Sequence, residues 1–129
     1  MGWPACGEID IMEHKDSDQN RIYGTLHYPG RSGGNANGNT VIVSNATTDF
    51  NIYAVEWNAA IIKFSLNGNV FHSVANSTVI PFNHNFFIIL NLAMGALLEG
   101  LLILHLLMLL WKLIMLECIS NSIFIFSRF

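Results

Sequence analysis

Charge is scarce in this sequence. Only 12% of its 129 residues are Asp, Glu, Lys or Arg, and the six basic side chains form no cluster. A surface that neutralises several phosphates needs such a cluster, so nucleic acid is excluded as a partner. Cysteine is scarce as well: Cys6 and Cys118 lie near opposite ends and make neither a CxxC metal pair nor a disulfide framework. The opening MGWPACGEID has no basic segment ahead of an apolar core, so no signal peptide is expected in this stretch. Between residues 7 and 95 there is also no long stripe of helical periodicity.

What is present divides into two vocabularies. Residues 1–95 hold thirteen Asn and only four Leu, whereas residues 97–116 hold eleven Leu in twenty positions. The first part alternates short apolar runs with Asn, Gly and Pro, as antiparallel strands and their turns do. It predicts strands over 7–13, 21–28, 40–44, 52–57, 60–66, 69–73 and 86–92. Asn67-Gly68, between two such runs, predicts a hairpin, because a type I′ turn needs positive φ at both central residues. The expected class is therefore all-β.

The segment with the most chemistry is Gly7-Glu8-Ile9-Asp10-Ile11-Met12-Glu13. Side chains alternate faces along a strand, so Glu8 and Asp10 share a face that Glu13 would miss. A β-bulge with Met12 as the extra residue returns Glu13 to that face and leaves Ile9 and Ile11 for the core. Crowded carboxylates repel, and the pKa of at least one rises. A retaining glycosidase uses that splitting: one carboxylate is ionised as nucleophile, and another is protonated as general acid. The plainer alternative is an edge strand whose acids face solvent.

Around the acids stand Trp3-Pro4-Ala5, then YGTLH, a Gly/Asn-rich loop, FNIYAVEW, the IIKFSLNGN hairpin and FFIILNLAMG. In this order and spacing, residues 2–95 resemble glycoside hydrolase family 16, specifically its laminarinase-like endo-β-1,3-glucanases. The resemblance implies a concanavalin-like β-jelly-roll sandwich with a glucan-binding cleft, and hydrolysis by double displacement with retention. It implies Glu8 as nucleophile, Glu13 as general acid/base and Asp10 as the carboxylate that assists Glu8. It also implies substrate contacts for Trp3, as an aromatic platform, and for His27. His14, His72 and His84 lack metal-ligand spacing and are expected to be hydrogen-bonded or solvated. Asn45-Ala46-Thr47 and Asn76-Ser77-Thr78 match a glycosylation pattern too common to assign a role.

The family pattern stops at Gly95, which divides the chain into residues 1–95, a partial catalytic domain, and residues 96–129, a Leu-rich tail. Residues 97–118 are apolar nearly all round, and a helix is one conformation open to them. Glu99, His105, Lys112 and Glu117 make a membrane span costly. One permitted set of codons for residues 99–121, reread from the third base, encodes GTIDPAFTYATMEIDYVRVYQ and a stop, a family-like ending. Trp111 and Met115, whose codons are unique, fit that rereading, so the tail is expected to be a frameshift product. The family domain also extends upstream of Met1, so N-terminal strands are expected to be missing and the 129-residue chain to be catalytically silent.

No cofactor is expected for the chemistry. Many family members hold a structural calcium on the convex side, and no metal ligand is assigned here. The expected partner is a β-1,3- or β-1,3-1,4-glucan, with a membrane only if the tail is genuine. By resemblance, the parental enzyme works in an extracellular or periplasmic setting. The competing functions are a noncatalytic carbohydrate-binding sandwich and a small membrane-anchored protein.

Overall fold

The computed structural model describes residues 1–91, 112–119 and 122–128. They form two antiparallel sheets, so the class is all-β, as the alternation implies. The first sheet joins β1 (Glu8–His14), β2 (Arg21–His27) and β3 (Asn37–Ile42) in chain order. The second joins β4 (Asn51–Trp57), β5 (Ile61–Leu66), β6 (Asn69–Ala75), β7 (Lys112–Ile119) and β8 (Ser122–Arg128) in the order β6-β5-β4-β8-β7.

The two sheets meet where β1 approaches β4 and β3 approaches β6. Period-two patterning fills the space between them. Ile22 and Leu26 of β2 face Tyr53 and Val55 of β4 and Ile62 and Phe64 of β5, all of them buried. Beyond Val55 the outward Glu56 is exposed. Residues 43–50 carry the chain from β3 to β4, and Val43 and Ala46 plug the core on the way.

The hairpin between β5 and β6 turns at Asn67 (φ 49°) and Gly68 (φ 82°), the two positive φ values a type I′ turn requires. Asn67 also clasps the start of β4. Its backbone N–H donates to Ile52 O at 2.8 Å, its Oδ1 accepts from Ile52 N, and its Nδ2 donates to Oδ1 of the buried Asn51.

Two expectations are corrected. Residues 86–91 form no strand, and Leu92 lies outside the described residues. Phe87 and Ile89 are exposed although their spacing suits a strand, because alternation sets which face is apolar but supplies no neighbour to bond. Within 97–118, residues 112–118 belong to β7 and not to a helix, while 97–111 lie outside the described residues. β7 pairs with β8, whose Ser-Ile-Phe-Ile-Phe-Ser-Arg run is rich in strand-favouring residues, and β8 adds to the edge of β4. Among the described residues no helix is long and apolar enough to cross a membrane.

Gly24, in the middle of β2, has two aromatic rings against its Cα. An added Cβ would lie 2.9 Å from both Phe64 Cδ1 and Phe71 Cζ. Gly24→Ala should therefore lower stability by about 1–3 kcal/mol through overpacking. Gly34→Ala, where a Cβ meets nothing within 4 Å, should stay within about 0.5 kcal/mol of the parent. Thermal unfolding of the two variants side by side checks this, and equal melting temperatures would contradict the packing argument.

Candidate active site

The site is built on the outward face of β1 and β2. Glu8 stands opposite His27, and Asp10 opposite Thr25. The register then shifts: Glu13 is the partner of Tyr23, so Ile11 and Met12 together face Gly24. Two residues against one is a bulge, and it occurs where the parity of the three acids demands it. Both bulged side chains pack on the core, Ile11 with Ile9 and Met12 beside them. Glu13 thereby rejoins Glu8 and Asp10. Its Oε2 accepts a 2.8 Å hydrogen bond from Oγ1 of Thr25, the residue facing Asp10.

Asp10 is the most perturbed acid. Its pKa is pushed up to about 8, first by burial, then by the charges of Glu13 and Glu8, and by a hydrogen bond to Glu8. At neutral pH Asp10 therefore holds a proton and shares it with Glu8. Glu8 also accepts from Trp3 Nε1 at 2.6 Å. Trp3 is 57% exposed, and its ring centroid lies 5.9 Å from that of His27. The turn carrying Trp3 closes through Cys6 N to Gly2 O and Gly7 N to Pro4 O. Gly7 adopts φ +73° with Pro81 O only 2.9 Å from where a Cβ would stand, so this corner requires glycine.

On the other side, His27 Nε2 lies 3.1 Å from Asp10 Oδ2. Its Nδ1 accepts a hydrogen bond from Gly33 N at 3.2 Å. That fixes the tautomer of the neutral ring: the proton sits on Nε2 and points at Asp10. A chain of bonds thus runs from the Gly33 amide through His27 and Asp10 to Glu8, which Trp3 also holds.

Glu8, Asp10 and His27 each bring a ligand atom to within 4.8 Å of one another, a spacing a metal ion could use. The hydrogen bonds favour a different use. His27 Nε2 is already turned to Asp10 Oδ2 at 3.1 Å, and Asp10 bonds Glu8. Nor do two carboxylates and an imidazole resemble the six to eight oxygens that calcium takes.

All five residues singled out in the sequence, Glu8, Asp10, Glu13, Trp3 and His27, lie on this one face. Thr25 and the Gly33 amide were not singled out. Of the other histidines, His72 is half-buried, stacks on Phe64 and meets Asn37 O, and burial lowers its pKa. His84 Nε2 bonds Cys6 O, and His14 Nε2 bonds Gln19 O.

The model for glycosyl hydrolases family 16 matches residues 2–100. The chain belongs to family 16. It is 36% identical over 97 residues to the clotting factor G alpha subunit of Tachypleus tridentatus, a match covering 72% of this chain and 14% of that one. It is 35% identical over 107 residues to a glucan endo-1,3-beta-glucosidase of Cryptopygus antarcticus, covering 73% of this chain and 40% of that one. A LamA variant from Zobellia galactanivorans, solved with laminaritriose and laminaritetraose, superposes with a TM-score of 0.70 at 26% identity. That superposition covers 97% of this chain and 46% of LamA. The family 16 chain thus spans less than half the length of each of these relatives.

The raised pKa of Asp10 has a consequence for stability. Below about pH 4 the carboxyl is protonated whether folded or unfolded. From the ordinary value of 3.8 up to about 8, the folded state keeps a proton that the unfolded chain has released. Stability from this group is therefore lost progressively as pH rises through that window. Asn in place of Asp10 can still donate to Glu8 and accept from His27, and it does not titrate. The melting temperature of Asp10→Asn relative to the parent should therefore climb between pH 4 and pH 8. A pH-independent difference would contradict the assignment.

Proposed function

We propose that this segment supplies the catalytic face of a retaining, endo-acting hydrolase of β-1,3- or β-1,3-1,4-glucan. The observation that carries the reading is the convergence of three carboxylates across a bulge, with Asp10 set between Glu8 and His27. In the first step, Glu8 attacks the anomeric carbon while Glu13 gives its proton to the glycosidic oxygen, and the glycosidic bond breaks. Asp10 and Trp3 Nε1, both donating to Glu8, keep it aimed until the glycosyl-enzyme ester forms. In the second step, Glu13 takes a proton from water as that water attacks the anomeric carbon and releases Glu8. The exposed Trp3 ring offers the sugar an apolar face, with His27 beside it. No cofactor takes part in these steps. A polymeric glucan is met outside the cytoplasm, so the enzyme is assigned to an extracellular or periplasmic setting.

The test places residues 2–91 in the matching stretch of an active laminarinase, beside the 129-residue chain expressed alone. The graft should release reducing sugar from laminarin with retention, and the short chain should not. Glu8→Gln should abolish turnover on every substrate. Glu13→Ala should lose about 10²–10⁴-fold in kcat/KM on laminarin but little on an aryl glucoside whose leaving group needs no proton. Inverted product stereochemistry, or equal losses for both variants on the aryl substrate, would overturn the roles.

A further inference from the structure

We infer that Thr25 is a positioning residue for Glu13, committing one carboxyl oxygen to the scaffold and leaving the other to transfer the proton. This rests on Glu13 being the acid/base. The Thr25 hydroxyl donates to Glu13 Oε2 at 2.8 Å. An oxygen that accepts a hydrogen bond is a poor place for the carboxyl proton, so the protonated acid carries it on Oε1. A terminal carboxyl torsion is broad and two-fold, and an untethered glutamic acid would present either oxygen. With Thr25 in place, the same oxygen delivers the proton to the glycosidic bond and later receives one from water.

The placement of Thr25 is built into the sheet. It sits on the central strand β2, facing Asp10 on β1 and Gly38 on β3. It is 9% exposed, so water competes weakly for its hydroxyl. Gly38 makes the room: a Cβ there would stand 3.1 Å from Thr25 Oγ1 and 3.3 Å from Thr25 Cγ2. The bulge supplies the other half. It displaces Glu13, the ladder partner of Tyr23, toward Thr25 two residues along. One hydroxyl thus spans the irregular rung that the acids need.

The role is confined to proton transfer, and that makes it separable from a structural one. The comparison uses Thr25→Val, Thr25→Ser and Glu13→Ala in the grafted laminarinase, with Thr25→Ala as the substitute should Val not fold, and the melting temperatures of the same variants in the 129-residue chain as the check on folding. Thr25→Val should cut kcat/KM on laminarin by about 10–100-fold, the scale of a misplaced catalytic group. It should leave kcat/KM on an aryl glucoside with a good leaving group near the parent value, and Thr25→Ser should restore most of the laminarin activity. Equal loss on both substrates, no loss on laminarin, or failure of Ser to restore would overturn the inference. If Glu13→Ala itself shows no difference between the two substrates, the acid/base reading falls and this inference with it. If Glu13→Ala shows the difference and Thr25→Val does not, only the inference falls.

Discussion

The site depends on one irregularity, two residues of β1 set against a single glycine of β2. In a regular ladder the third acid would point into the apolar layer, and a charged carboxylate there without partners costs many kcal/mol. The bulge removes that conflict. It sends Ile11 and Met12 together toward the core, where both find apolar neighbours, and returns Glu13 to the outer face. Gly24 serves both sides of this exchange. It stands opposite the doubled residues, and Phe64 and Phe71 of the second sheet fill the volume its missing side chain leaves. The aromatic layer and the acid face are therefore coupled through one residue that has no side chain.

Given that placement, the electrostatics follow from burial and then crowding. Burial raises the pKa of Asp10 most, and the neighbouring charges of Glu13 and Glu8 raise it further. Its proton faces Glu8, while its other side is held by a histidine whose tautomer is dictated by a backbone amide in the turn Gly33–Asn35. The Gly33 amide is thus linked through His27 to the carboxyl that bonds Glu8.

Much of this was legible in the sequence because it follows from parity. Counting residues from Glu8 to Glu13 predicts a bulge, and Asn67-Gly68 predicts its own turn. Other features escaped for equally physical reasons. The segment 86–92 has the alternation of a strand, but pairing is a property of two segments and only one of them is visible in a local pattern. The strand β7 was hidden in a Leu-rich run whose apolar residues follow no clear period, so its conformation is set by its partner β8. Thr25 and the Gly33 amide left no mark either. A short hydroxyl and a backbone N–H acquire a role only from what the fold puts within 3 Å or so of them.

The clasp of Asn67 on the start of β4 bears on how the second sheet assembles. The strands β4, β5 and β6 are joined by short links, and the turn between the last two carries its own backbone preference as well as three bonds back to β4. Contacts so close in sequence close small loops and are entropically cheap, so this meander can form early and by itself. The pairing of β4 with β8 joins residues some seventy positions apart, as Asn51 with Ser127. That edge must wait for a long loop to close, and until it does β4 offers an open ladder to any strand that reaches it first.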